Sequence, residues 1–327
     1  MNEYHKNLEP VDLVYTWVND LFPGYAEIRD KWADLYKIQV KPERERDHLD
    51  LLRYSLRSIE KYSRWTIGNI YIVTMRPQIP SWLNLDVKDP KLKIVHHDEI
   101  FENSENLPTF NCNAIYFNIH RIKGLSRYFI LFDDDYFLGS NVYLSDFITQ
   151  DGEIKIYFDI NCLTPKAEEK DTADSEYLKS LAATNEHLNN CFMKDDKRRF
   201  FRHVPLLIRK DLFSSMGNDP IIQNTISNRF RCEKDTVFDH FYNHMILYDR
   251  QIKTTIVPLW RLYLHTNFHR LTNNFRMQYL QLKWLKWTRP KFFCLNDDMG
   301  TNPNKKVVNL VTNFLNAYYP NKSCFEK

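Results

Sequence analysis

Residues Arg127 to Phe132 (RYFILF) are an almost wholly apolar, aromatic run that ends abruptly in Asp133-Asp134-Asp135. So short a run, bounded by charge, reads as a strand buried on both faces, the kind found in parallel sheets covered by helices. Its carboxyl end delivers three adjacent carboxylates, whose repulsion is costly unless solvent or a cation relieves it. Val11 to Val18 (VDLVYTWV) repeats the design, ending in Asn19-Asp20 with Pro23-Gly24 just beyond. Between the two, His48 to Tyr62 places Leu49, Leu52, Leu56 and Ile59 at helical spacing, with Arg53, Arg57 and Lys61 off that stripe. Strands are predicted over Asn69 to Thr74 and Leu92 to Val95, and a helix over Ala114 to Ile122. This alternation predicts an α/β fold with a mostly parallel sheet, which binds ligands beyond the carboxyl ends of its strands.

From about Asp151 to Arg202 the chain becomes charged and amide-rich, and a helical lobe is predicted there. Residues 11–150 would then form the ligand-binding core, and 203–327 the remainder of the site and the C-terminal helices. No linker separates these parts, so the 327 residues read as one catalytic domain. The helical stretch Leu271 to Trp287 carries Trp284 and Trp287 among lysines. It reads as a packed helix with solvated lysines, with a membrane-surface helix as the alternative. Val307 to Tyr318 is a further apolar helix.

Composition excludes several classes. The 45 Lys+Arg and 42 Asp+Glu interleave to a net charge of +3, which argues against a nucleic-acid binder. The seven glycines form neither a dinucleotide fingerprint nor a phosphate loop. The six cysteines lack CxxC spacing and read as reduced thiols. MNEYHKNLEP has no signal-peptide core, and the apolar runs are too short to span a bilayer, so a cytoplasmic protein is expected.

An acidic triplet at a strand end is more often a solvated turn than a metal site. Asn296-Asp297-Asp298, after Phe292-Phe293-Cys294-Leu295, repeats the pattern, and two such groups raise the prospect of a shared magnesium and phosphate site. Arg53 and Arg57 are candidate diphosphate ligands, or an ordinary solvated helix face. His203, before Val204-Pro205, is a candidate general base, though a lone histidine is more often structural. Arg229 and Arg231 in NRFRCEKD carry the same ambiguity.

VDLVYTWVND resembles the first conserved region of the Stealth proteins, bacterial capsular-polysaccharide hexose-1-phosphate transferases related to the animal N-acetylglucosamine-1-phosphotransferase catalytic subunit. LRYSLRSIEKYSRWTIGNIYIVT, IPSWLN, LPTFN and HRIKGLSRYFILFDDDYFLG together resemble the second region. HVPLLIRKDLF with NRFRCEKD resembles the third, and KFFCLNDD with YYPNKSCFEK the fourth. The resemblance implies a GT-A-like core and transfer of a hexose-1-phosphate, in particular a HexNAc-1-phosphate, from a UDP-sugar to a glycan or lipid-linked glycan, releasing UMP. It implies Mg2+ or Mn2+ held by Asp134, Asp135, Asn296 and Asp297, and catalysis by Asp135, His203 and Arg231. Tyr15, Thr16, Trp17 and Asn19 would line the nucleotide pocket, with Arg53 and Arg57 on the diphosphate. Capsule or surface-glycan synthesis would place the protein in the cytoplasm, at the inner face of the membrane beside the capsule assembly machinery. The family usually has Asn where this chain has Asp133, and an acidic residue in the helix after LPTF where it has Tyr116. The competing functions are ordinary metal-dependent glycosyl transfer, which releases UDP, and a non-catalytic glycan-binding module.

Overall fold

The computed structural model describes residues 8–86 and 91–327; the polar amino-terminal residues 1–7 lie outside that range. In chain order the strands are β1 Val11–Thr16, β2 Ile67–Thr74, β3 Leu92–His96, β4 Tyr128–Asp133, β5 Tyr136–Leu138, β6 Ile154–Ile156, β7 Phe158–Leu163, β8 Arg199–Phe201, β9 Leu206–Arg209, β10 Thr254–Ile256, β11 Thr266–Leu271 and β12 Phe292–Asp297. The helices are α1 Tyr25–Tyr36, α2 Leu51–Tyr62, α3 Cys112–Asn118, α4 Glu176–Phe192, α5 Asp211–Met216, α6 Pro220–Ser227, α7 Phe238–Tyr248, α8 Leu259–His265, α9 Phe275–Thr288 and α10 Lys305–Tyr318.

The main sheet has the order β3-β2-β1-β4-β9. β1, β2, β3 and β4 run parallel, and β9 closes the edge antiparallel to β4. β1 and β4 are the central strands, and their side chains are buried along nearly their whole length, as their apolar sequences require. The chain builds outward from β1 to β2 and β3, then returns to β4 on the other side. That reversal opens a crevice beyond the carboxyl ends of β1 and β4, where Thr16 and Asp133 are register partners.

A second sheet, β11-β12-β5, is joined to the first through the acidic triplet itself. Asp133 ends β4, Tyr136 begins β5, and Asp134-Asp135 form the turn between. β5 pairs antiparallel with β12, with Cys294 opposite Tyr136, and the Leu295 N–H donates to the Asp135 carbonyl at 3.0 Å. The second acidic segment is thereby laid alongside the first.

The predicted helical lobe holds one long helix, α4, framed by the antiparallel strands β7 and β8, with β6 preceding it. Ser175 caps α4 by accepting from the Leu178 N–H, and the helix buries Leu181, Ala182 and Leu188. α2 is covered on more than its leucine stripe: Ser55 and Ser58 are buried against β5 through the Tyr136 carbonyl and the Leu138 N–H, Tyr54 bonds Asn316, and the C-terminal segment covers Arg57. All six cysteines are unpaired thiols.

Candidate active site

At the crevice, Asp133, Asp134 and Asp135 are half-buried at the turn between β4 and β5 and form an acidic floor. Burial, then the charges of Asp135, Asp47 and Asp133, push the Asp134 carboxyl well above the usual carboxylate range. Burial and Asp133 raise Asp135 to about 6, against the Cys294 thiol, His203 and the Asn296 amide, which favour its charged form. The Cys294 thiol lies 3.2 Å from Asp135 Oδ2 and the Asn296 amide 3.5 Å from the same oxygen. Cys294 and Asn296 share a face of β12 because strand side chains alternate.

His203 sits between β8 and β9, exposed, with its ring stacked on Phe268 at 4.5 Å and 25°. Its Nδ1 lies 3.5 Å from Tyr136 Oη. Both Asp135 and Asp239 feel the imidazole: it favours the charged form of each, while burial raises both carboxyls. Asp239, in the first turn of α7, gives the site a further carboxylate.

Arg231 is presented by the loop between α6 and α7, which is built around Asp235. That carboxylate accepts from the amides of Asn111 and Asn228 and from the Cys232 N–H, at 2.7–2.9 Å. The Arg231 side chain is exposed, and it interacts electrostatically with Cys112, Tyr116, Asp133 and Glu176. Its neighbour in sequence has a different fate. Arg229 donates to the carbonyls of Pro108 and Glu105 and lies 3.9 Å over the Trp32 ring, so it is a structural latch. Glu176 and Tyr177, at the start of α4, line the Arg231 side.

Four predicted positions fall elsewhere. Arg57 makes a two-pronged ion pair with Glu326, 2.6 Å at each contact, and donates to the Tyr319 carbonyl at 3.0 Å; its guanidinium holds the C-terminal segment and is not presented to the crevice. Asp297 faces away from Asp135, as alternation along β12 requires; it accepts from Arg46 at 2.7 and 3.2 Å and caps the Met299 N–H. Tyr15 is fully buried and its hydroxyl pairs with Ser55 Oγ at 2.9 Å. Trp17 is also buried, donating to Asp47 Oδ2 at 2.7 Å, so it packs and has no face to offer a base. Burial, with the nearby Asp50 charge, raises Asp47 to about 7, against the Trp17 hydrogen bond, which favours its charged form.

Thr16 remains at the crevice, its hydroxyl 3.5 Å from Tyr116 Oη. Asn19 lies in the following loop, which the buried Gln78 side chain clamps through the Asn19 N–H and carbonyl, each at 3.1 Å. Arg53 contacts Asp50 and Tyr54 Oη, while its Nε is buried without a hydrogen-bond partner.

Two segments match conserved regions of one family: residues 44–156 match Stealth protein conserved region 2, and residues 285–327 match conserved region 4. The capsular polysaccharide phosphotransferase fcs1 of Haemophilus influenzae is 30% identical over 317 residues, covering 95% of this chain and 84% of that protein. The chain belongs to the Stealth family.

The capsular polysaccharide phosphotransferase LcbA of Aeromonas hydrophila is similarly related, 31% identical over 93% of this chain and 84% of its own. This Stealth protein is a phosphotransferase. Its fold loosely resembles the solved structure of the bifunctional glycosyltransferase WbbM, at TM-score 0.49 and 12% identity over 95% of this chain and 50% of that one. The two matched Stealth regions meet at the crevice, one carrying Asp133 to Asp135 and the other Asn296. His203, Arg231 and the β1 residues lie outside both matched segments.

A His187, Cys191 and Asp219 cluster on α4 and at the start of α6 also has metal-ligating groups. Both His187 ring nitrogens there already have partners, Asp219 at 2.8 Å and Thr236 at 3.2 Å. A separate cavity of about 200 Å³, lined by Asp146, Lys155, Tyr157, Arg261 and His265, contains none of the crevice residues.

Proposed function

We propose that this Stealth phosphotransferase moves a hexose-1-phosphate, with HexNAc-1-phosphate the favoured group, from a UDP-sugar to a hydroxyl of a glycan or lipid-linked glycan, in cytoplasmic synthesis of a capsular or surface polysaccharide. The acceptor oxygen forms a bond to the β-phosphorus, the bond from that phosphorus to the bridging oxygen breaks, and UMP leaves with the electron pair. The observation that carries the reading is the convergence of Asp134, Asp135, Asn296, His203 and Arg231 at the sheet's switch point. It is supported by the chemistry: little covalent work is needed, and positioning plus charge stabilisation account for the rate.

The floor fits a divalent cation. The Asp134 carboxyl is held far from its ordinary range by burial and three like charges, and an oxygen-rich, half-exposed set suits Mg2+ or Mn2+ better than a thiolate metal. Asp134, Asp135 and Asn296 would hold the ion, and when bound it supplies neutralisation of the diphosphate charge. Arg231, whose charge interacts with Asp133, binds the transferring phosphate. Arg53, whose Nε is unpartnered, serves the diphosphate, and Thr16 with the Asn19 loop borders the nucleotide. His203 takes the acceptor proton, held by stacking on Phe268, with the Asp239 carboxylate near enough to interact with it electrostatically. Asp135 is less suited to that role because Cys294 and Asn296 engage its carboxylate.

The test is product identity. Purified protein with Mg2+, a panel of UDP-sugars and oligosaccharide acceptors should release UMP. Release of UDP instead would assign glycosyl transfer, and release of neither would favour the non-catalytic binding module.

A further inference from the structure

Helix α9 faces inward through Gln278, Leu282 and Leu285, which are buried. On the opposite side, Met277, Leu280, Trp284 and Trp287 follow one another at i, i+3, i+7 and i+10 and form a second apolar stripe. These four are 41%, 65%, 55% and 75% exposed. The two indole rings lie 5.0 Å apart and reinforce one another as a ridge. Arg276, Lys283 and Lys286 flank the stripe, Arg289 follows the helix, and α9 contains no acidic residue. Lys283 Nζ sits 4.4 Å over the exposed Tyr279 ring, so its stem lies along the surface while its charge stays in water.

A helix of a water-soluble domain needs one apolar stripe, and α9 has two. Every charged side chain of α9 is a cation, with Arg276 and Lys283 along one border of the outer stripe, and this selects a negatively charged partner. Tryptophans with flanking Lys and Arg are the side chains that settle at the headgroup level of a bilayer. We propose that the outer face of α9 is a membrane-docking surface that lies flat on an anionic lipid bilayer. This inference is independent of the reaction assigned to the crevice. None of the stripe residues belongs to that site, and no described helix is long and apolar enough to cross a membrane.

The test is sedimentation of the purified chain with vesicles of phosphatidylcholine alone or mixed with phosphatidylglycerol. Binding is expected only to the mixed vesicles, weakening as salt is raised, with a blue shift of tryptophan emission. Lys283→Gln with Lys286→Gln should lower partitioning about thirtyfold, the effect of removing two cations near a charged surface. Trp284→Ser with Trp287→Ser should abolish the emission shift, while circular dichroism and turnover on soluble substrates remain unchanged. Equal binding to both vesicle types, or unchanged binding in both variants, would overturn the proposal. So would a dimer in solution that the Trp284→Ser/Trp287→Ser variant dissociates without any vesicle binding, because it would assign the face to a second copy of this chain.

Discussion

Tyr116 Oη donates a 2.5 Å hydrogen bond to Asp133 Oδ1, tying α3 to the carboxyl end of β4. By the resemblance drawn from the sequence, both are positions at which this chain differs from the usual Stealth residues, and they are bonded to each other. Burial and the nearby Asp133 charge keep the Tyr116 hydroxyl protonated, with its pKa well above the ordinary value, so it is a permanent donor. The carboxylate that the resemblance led us to expect on the helix is thus held on the strand, with a neutral donor facing it.

Tyr116→Phe removes that donor and keeps the ring, which packs against Phe238 at 5.5 Å. Unfolding in denaturant should show a loss of about 1.5–3 kcal/mol, typical of a hydrogen bond to a charged group. An unchanged midpoint would mean that water replaces the phenol at Asp133 without cost.

Asp134 is held against its neighbours' charges, so Asp134→Asn relieves repulsion. The metal-free variant should be more stable than the parent, and its Mg2+-dependent turnover should fall by about two to three orders of magnitude. Asp135→Asn should lose turnover to a similar degree while remaining folded. Near-normal activity in either would remove that carboxylate from the mechanism.

Arg57 and Glu326 are a buried pair, and removing one partner strands the other. Arg57→Met should cost about 3–5 kcal/mol of stability, while KM for the donor in the remaining folded enzyme is unchanged. A raised KM with little loss of stability would return Arg57 to the diphosphate.

His244 is enclosed by the rings of Phe158 and Phe201, and burial lowers its pKa to about 3 from the ordinary 6.5. Below 6.5 the unfolded chain binds a proton there that the folded chain refuses, so stability falls as pH drops toward the folded value. His244→Phe keeps an aromatic ring and removes that proton. Its stability relative to the parent should improve by about 1.4 kcal/mol for each pH unit below 6.5. A pH-independent difference would show that His244 protonates equally in both states. The raised carboxyls Asp134, Asp135 and Asp47 shift stability the opposite way, and the paired comparison cancels their contribution.

The main sheet and the acidic floor were legible in the sequence because β1 and β4 are buried on both faces, which leaves unbroken apolar runs with polar ends. Arg57 was misread because periodicity along α2 reports one buried stripe; its second cover comes from residues 319 to 326, far away in sequence. The direction of Asp297 is not legible when Phe292 to Leu295 is read as an apolar run that delivers Asn296 to Asp298 to a loop, because the strand continues through Asp297. As a strand, alternation sends Asn296 and Asp297 to opposite faces, and Cys294 would have been found with Asn296 by the same rule. Asp239 carried no local signal: it sits in an ordinary helix start and reaches His203 only through the packing of α7. For Trp284 and Trp287 the packed and membrane-surface readings both stand in the sequence, because helical spacing alone does not distinguish an inward stripe from an outward one.

The most direct measurement follows the β-phosphorus of the donor. A UDP-sugar labelled with 32P at that atom is incubated with the enzyme, Mg2+ and a glycan acceptor, and the label is traced. The account predicts that it passes into the glycan as a phosphodiester while unlabelled UMP is released. Label retained in UDP, with sugar added to the acceptor, would contradict sugar-1-phosphate transfer.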